Sequence, residues 1–372
     1  MALNTIPNKG LTKQGYTSDR IVTPLIINGD MSVAQRGTSS TSADYVVDRF
    51  NFRVSNTDQF AYTHSQSTTV PTGQGFSNSW KLDVTTAETT LDSDEEVAFQ
   101  TRLEAQNLQS LKFGTSSAET LSLSFWVRSN KTGTYGIYLR QHDAGKNYVA
   151  SYTISSADTW EKKIVTISGN TADTIANDNG IGFWINWTLA AGSSLDGATM
   201  NSWHTAATEI APTNQVNITN STSNEWYITG VQLEVGEFDS TSIPSFSFES
   251  HENNLRKCQR YFQSVGVNSA MDVSATSDGK RLLQGQRDGS GNASAQVICP
   301  VITPLRTNPS VTTNQVNCRQ DGTSTDLNSI AVAFRGNILQ VTVTNTSNFN
   351  TGESMQLRCT GTNSYIRFDA EL

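Results

Sequence analysis

Six side chains stand out for the chemistry that their types and spacing offer: Trp126 and Arg128, Tyr138 and Arg140, Trp184 and Asn186. Each pair sets an aromatic ring two residues from a guanidinium or an amide, a spacing that puts both on one face of an extended strand. A ring of this kind covers the apolar face of a sugar, and a guanidinium or amide hydrogen-bonds neighbouring hydroxyls in pairs. The six are therefore candidate glycan-binding residues. The alternative is that a loop or a second subunit covers the rings, which makes them core or interface. Either way, contiguous aromatic surface implies a partner.

A catalytic reading finds little to build on. His64, His142, His204 and His251 show no metal-ligand spacing to one another, and no GxSxG nucleophile motif is present. They are expected on the surface or in turns. The carboxylates of the first half would have to approach as a glycosidase pair, which sequence does not show. The chain is expected to be non-enzymatic, with no catalytic residue, no metal site and no cofactor assigned. The acidic run Asp92, Asp94, Glu95, Glu96 has two readings, a solvated turn or a calcium site, since hard cations take clustered oxygen ligands. Asp288 to Asn292, DGSGN, reads as a plain turn. Cys258, Cys299, Cys318 and Cys359 lie too far apart for a zinc knuckle and are expected as free, buried thiols.

The elements that must position the six residues are strands. In LSLSFWVRS, Leu121, Leu123, Phe125 and Val127 share one face, leaving Trp126 and Arg128 on the other. In TYGIYLRQ, Tyr135, Ile137 and Leu139 alternate with Tyr138 and Arg140. In GIGFWINWTL, Ile181, Phe183, Ile185, Trp187 and Leu189 alternate with Trp184 and Asn186. Asn130 to Gly133 is expected to join the first two as a hairpin. If the three strands share a sheet, the six candidates line its outer surface. Trp80 to Val84, Val97 to Leu103 and DTWEKKIVTI supply further strands. Strands at this spacing without intervening helices predict an antiparallel sandwich.

Composition points the same way. Charged residues make up 16% of the 372 residues, against about 25% in an ordinary soluble domain, and Ser, Thr, Asn, Gln and Gly replace them. Residues 1–250 hold 15 Lys and Arg against 25 Asp and Glu, net −10, whereas 251–372 hold 11 against 9, net +2. Neither half has the dense basic face that nucleic acid requires. No stretch matches a signal peptide, and no membrane insertion is expected.

The chain changes character between Trp226 and Tyr261. All seven tryptophans lie at or before Trp226, and all four cysteines lie at or after Cys258. Tyr227, Thr229, Val231, Leu233 and Val235 alternate as one face of a strand ending at Gly236. Leu255, Cys258, Gln259 and Phe262 fall on one helical face. The predicted organisation is an arm at 1–24, a jelly-roll sandwich at 25–239, a linker at 240–250, and a short helix with a smaller β-sandwich at 251–372. The predicted fold class is thus all-β, with one short helix at the junction. In the second part, Arg335-Gly336-Asn337 is expected as a hairpin turn, and Pro304 and Pro309 outside any central strand.

The succession LIINGDMSVAQRG, DRFNF, SLSFWVRSNKTGTYGIYLRQ, DTWEKKIVTI and WYITGVQLEVGEF resembles carbohydrate-binding-module-like jelly rolls. More narrowly, VQLEVG followed by LRKCQRYF and a closing FDAEL resembles a group of bacteriophage virion proteins, among them tail-fibre, appendage and capsid decoration components. Thr229-Gly230 stands where many such sandwiches carry acidic residues, so the resemblance does not bring a structural calcium ion with it. It implies a virion protein assembled in the host cytoplasm, a homotrimer, attachment to other virion proteins through residues 1–24, and affinity for a bacterial surface glycan. A capsid decoration protein and a polysaccharide-degrading spike are the alternatives.

Overall fold

The computed structural model describes residues 24–205, 209–266, 281–286, 294–300, 303–320, 323–326, 329–335, 338–344, 354–359 and 365–372. The arm at 1–24 falls outside these apart from Pro24, and so does the DGSGN turn. The fold is all-β. Its first part runs β1 (Ser39–Ser40), β2 (Phe50–Ser55), β3 (Ala61–Ser67), β4 (Ser79–Thr86), β5 (Glu96–Glu104), β6 (Leu121–Ser129), β7 (Gly133–Gln141), β8 (Lys146–Ile154), β9 (Glu161–Ile167), β10 (Ile181–Ala191), β11 (Trp203–His204) and β12 (Glu225–Val235).

Two six-stranded antiparallel sheets form, a front sheet in the order β1-β3-β4-β12-β6-β9 and a back sheet in the order β11-β8-β7-β10-β5-β2. The alternation explains how they meet. Leu121, Leu123, Phe125 and Val127 of the front sheet and Phe183, Ile185, Trp187 and Leu189 of the back sheet share one core, with Trp80, Phe99 and Trp226 at its centre. Trp80 and Phe99 stand 4.4 Å apart, and Trp187 lies 5.8 Å from Phe99 and 5.6 Å from Phe125.

Two expectations are corrected here. β6 and β7 are not a hairpin: β6 pairs with β12 and β9 in the front sheet, while β7 pairs with β8 and β10 in the back sheet. Residues 130–132 cross between layers, and Tyr135 fixes the crossing by donating its hydroxyl to the Lys131 carbonyl at 2.7 Å. In β12 the simple alternation breaks between Thr229 and Gln232, where the register shifts. Trp226 and Ile228 point inward before the break, and Val231 and Leu233 after it. Gly230, at φ +64°, absorbs the extra residue in a left-handed conformation that other residues adopt at a cost.

The seam folds back onto the sandwich. Gln232 Nε2 donates to the Pro244 carbonyl at 2.9 Å, and Phe246 and Phe248 each sit 5.1 Å from Phe76. Helix α1 (His251–Gln259) then starts at Ser250, whose hydroxyl accepts from Asn253 N. The predicted helical face is only partly right. Asn254 and Cys258 are its buried residues, and Phe262 begins a strand. Asn254 plugs the turn at the start of the sandwich: its amide donates to Asp30 Oδ1 and Ser32 Oγ, both at 3.0 Å, and its Oδ1 accepts from Asn28 N at 3.1 Å.

Charged groups close the rest of this junction. Glu371 pairs with Arg49 and lies 3.4 Å from Arg36, which also pairs with Asp369 at 3.0 Å. Arg260 reaches Glu104 at 2.6 Å, and Tyr261 donates its hydroxyl to the same carboxylate at 2.9 Å. The Arg49 guanidinium lies 3.4 Å over the Tyr261 ring and that of Arg36 3.6 Å over Phe262. Burial is the largest influence on Arg49 and opposes its charge, yet Glu371 together with the smaller contributions of Tyr261, Tyr45 and Cys258 outweighs it and raises its pKa. Cys258 is a free, buried thiol whose pKa burial pushes well up.

The second part continues with β13 (Phe262–Gly266), β14 (Arg281–Gln286), β15 (Ser294–Pro300), β16 (Ser310–Asn314), β17 (Val316–Gln320), β18 (Thr323–Asp326), β19 (Ser329–Arg335), β20 (Ile338–Thr344), β21 (Ser354–Cys359) and β22 (Tyr365–Asp369). These build a three-stranded sheet, β13-β22-β16, and a seven-stranded sheet, β18-β17-β21-β14-β15-β20-β19. The pairing expected around residues 335–337 is present, with Arg335 opposite Ile338. Among the described residues no helix is long and apolar enough to cross a membrane.

Candidate functional site: the outer face of the back sheet

The six candidate residues do not share a sheet. Tyr138, Arg140, Trp184 and Asn186 lie on the outer face of the back sheet, through β7 and β10, whereas Trp126 and Arg128 lie on the outer face of the front sheet, through β6. The crossing between β6 and β7 is the reason.

On the back sheet, register makes two rows. Trp184 stands between Arg102 of β5 and Arg140 of β7, and Asn186 between Gln100 and Tyr138. The Arg102 guanidinium lies 4.8 Å and that of Arg140 5.7 Å from the Trp184 ring, with His142 stacked at 5.3 Å. The indole is thus flanked by cations and an imidazole, which leaves it no free stacking face. Arg102 donates to the Leu372 carbonyl, which ties one end of the row to the second part of the chain.

The second row is covered. Segments 192–205 and 209–216 cross this end of the sheet, packing Ala198 and Ile210 against Tyr138 and Val149, with Leu195 and Met200 beside them. Tyr138 donates its hydroxyl to Glu96 at 3.3 Å, and burial drives its pKa well up. Asn186 is 0% exposed. Tyr138 and Asn186 therefore lie beneath this cover, whereas Arg102, Trp184, Arg140 and His142 remain partly exposed.

An unusual concentration of polar atoms without partners marks this face. Buried and without a hydrogen-bond partner are Arg102 Nε, Arg140 Nε, Trp184 Nε1, His142 Nδ1, Gln100 Oε1 and both polar atoms of the Asn186 amide. Each such group costs about 1–3 kcal/mol when left unpaired in the interior. Packing alone gives no reason to collect them on one face. Sequence reading missed Gln100, Arg102 and His142, because VAFQTRL identifies a strand without its neighbours. Gln100 and Arg102 matter only because β5 pairs with β10.

On the front sheet, Arg128 is committed elsewhere. It pairs with Asp158 at 2.8 Å and lies 5.0 Å over the Tyr227 ring. Trp126 lies beside a cavity described below.

The acidic run is not a solvated turn throughout. Glu95 and Glu96 are buried, and Glu96 pairs with Arg53 at 2.8 Å. Carboxylate oxygens of Asp58, Glu88 and Glu95 all lie within 4.8 Å of one another. Burial, a hydrogen bond shared with Asp58 and the nearby charge of Glu95 push the Glu88 carboxyl up to about 7. A carboxyl raised in the folded state adds stability that is complete below its ordinary value and is lost as pH rises through the raised one. Relative to Glu88→Gln, the melting temperature of the unmodified protein is expected to fall between about pH 5 and about pH 8. Parallel pH profiles of the two proteins would refute this. His64 is likewise no surface residue: its ring is buried, Nε2 lies 2.8 Å from the Ser42 carbonyl and 3.0 Å from Asp44, and Nδ1 accepts from Trp80 Nε1.

The arrangement defines an all-β jelly-roll sandwich with a polar, aromatic-centred outer face. No family model matches the chain, and no curated protein does. Among solved structures, it is similar to the enzymatically active domain of tailspike protein 4 of bacteriophage CBA120, at 12% identity and a TM-score of 0.31, over 57% of this chain and 21% of that one. It is also similar to a family 11 carbohydrate-binding module from Clostridium thermocellum in complex with a mixed-linked tetrasaccharide, at 12% identity and 0.26, over 54% of this chain and 98% of that one. The tandem CBM22 domains of Xyn10C from Paenibacillus barcinonensis match at 9% and 0.28, over 96% of this chain and 98% of that one. The chain thus spans about a fifth of the tailspike it matches. At such scores, what the face does must be read from its own residues.

Proposed function

We propose that this chain is a non-enzymatic bacteriophage virion protein, a trimeric tail fibre or appendage, whose back sheet binds a glycan of the host surface. The observation that carries the glycan reading is the set of unpartnered polar atoms around Trp184. Hydroxyls both donate and accept, so a sugar suits a face on which Arg140 Nε, Trp184 Nε1 and His142 Nδ1 lack partners, while beneath it Gln100 Nε2 donates to Asn51 Oδ1 at 3.0 Å. The virion reading is supported by LIINGDMSVAQRG, DRFNF, LRKCQRYF and FDAEL, which share one junction although they lie far apart in sequence. Residues 1–24 would dock the subunit on the particle.

A single site of this kind binds weakly, because association costs at least about 4 kcal/mol before any contact is counted. Three linked copies raise the apparent affinity by about 10²- to 10⁴-fold without a new contact. Replacing Arg140 with alanine is expected to weaken binding to the best glycan on an array by about tenfold or more, the loss of one or two charge-assisted hydrogen bonds, with the melting temperature unchanged. Unaltered binding sinks the back-sheet site. Light scattering tests the assembly: a monomer at micromolar concentration removes the trimer. Release of sugar from host polysaccharide by the purified protein would favour the spike alternative, and labelling on the capsid shell the decoration alternative.

A further inference from the structure

A separate cavity of about 230 Å³ opens on the outer face of the front sheet. Trp126, Phe76, Phe246 and Phe248 give it aromatic walls, and Ser124 and Lys162 contribute polar groups. Sites that hold a drug-sized ligand run about 300–1,000 Å³, so this one suits a single sugar ring. Its shape depends on the break in β12. A Cβ on Gly230 would stand 2.6 Å from Phe76 and 3.1 Å from Trp126, so the glycine keeps the space between the two rings open.

Three observations identify the chemistry of the occupant. Phe248 is 50% exposed, the one large hydrophobic side chain so exposed among the described residues, and it is held at the cavity by its contacts with Phe76 and Phe246. Ser124 is 1% exposed, and its Oγ, at the cavity floor, has no partner. Lys162, cross-strand from Trp126, has no ion pair among the described residues, although neighbouring cations do: Lys81 with Glu225 at 2.6 Å, Arg128 with Asp158 at 2.8 Å and Lys163 with Glu161 at 2.5 Å. Partial desolvation also lowers the Lys162 pKa, as expected for an ammonium lacking a counter-charge.

We propose that this cavity binds a sugar bearing a carboxylate, a uronic acid residue, with the ring against Trp126 and Phe248, the carboxylate on Lys162 and a hydroxyl on Ser124 Oγ. A single ammonium matches a single carboxylate, whereas a phosphoryl group calls for several donors or a guanidinium fork. The choice of a sugar rests on the glycan reading of the protein, but the site lies on the opposite sheet from Trp184.

Titration calorimetry with glucuronate and galacturonate, each against its neutral parent, tests the assignment. Uronate is expected to bind about tenfold or more tightly than the neutral sugar at low ionic strength, with the preference declining as salt is added. Lys162→Met should abolish the preference, and Phe248→Ala should weaken both sugars. Both residues are exposed, so neither variant is expected to unfold the protein; Trp126→Ala should remove binding altogether. Arg140→Ala should leave uronate binding intact. Equal binding of uronate and neutral sugar, uronate binding unchanged by Lys162→Met and Phe248→Ala, or no uronate binding at all would each overturn the proposal. Loss of uronate binding in Arg140→Ala alone would also overturn it, and would place that ligand on the back sheet.

Discussion

Glu371→Ala is expected to destabilise the jelly roll by about 3–5 kcal/mol, although residue 371 lies more than a hundred residues beyond its last strand. The carboxylate is 6% exposed and faces Arg49, 4% exposed, and Arg36. Removing it leaves Arg49 buried over Tyr261 without a counter-charge, and the uncompensated guanidinium carries most of the cost. Glu371→Gln keeps the shape and a hydrogen bond and should lose less. The chain provides its own reporter, because all seven tryptophans lie at or before Trp226. A lower denaturation midpoint by tryptophan fluorescence therefore means that the sandwich itself has been weakened through the junction. A loss under about 1 kcal/mol would put the pair among ordinary exposed bridges and would break the energetic link between the two parts.

Trp187→Ala and Trp184→Ala should separate the two faces of one strand. Trp187 is fully buried between Phe99 and Phe125, and truncating it is expected to cost about 3–5 kcal/mol through lost burial and the cavity left behind. Trp184 is half-buried on the outer face, where its main contacts are Arg102, Arg140 and His142. Its loss should cost about 1 kcal/mol, the scale of a partly exposed cation–π contact, while weakening glycan binding. Chemical denaturation of both variants checks the contrast. Comparable large losses would make Trp184 a structural residue and remove it from the site.

Much of this fold was legible because burial imposes a period on a strand. GFWINWTL assigns Phe183, Ile185 and Trp187 inward and Trp184 and Asn186 outward, and the structure places them so. Similar alternation in LSLSFWVRS and TYGIYLRQ located β6 and β7. It did not reveal that they belong to different sheets, since a strand's pattern is the same whichever partner it pairs with. That ambiguity led to the expectation of one six-residue surface, where the chain has two. Glycine misled in a different way: Gly230 sits inside an alternating run, and only its backbone conformation shows that the inward face changes there. Asn254 was missed because hydrophobic periodicity does not register a polar side chain that fills a polar socket, here made by Asn28, Asp30 and Ser32.

What the sequence determined by itself is therefore local: all-β class, the inward faces of β6, β7 and β10, and the residue types available for binding a sugar. These follow from chemistry carried within a few consecutive residues. Tertiary structure decided which of those residues meet. Register set Arg102 and Arg140 on either side of Trp184, the crossing after β6 carried Trp126 to the opposite sheet, and the buried charges of Arg49, Glu104, Arg260 and Glu371 joined the two parts of the chain. Each of these depends on pairing between segments remote in sequence, and a local pattern holds no information about its distant partner.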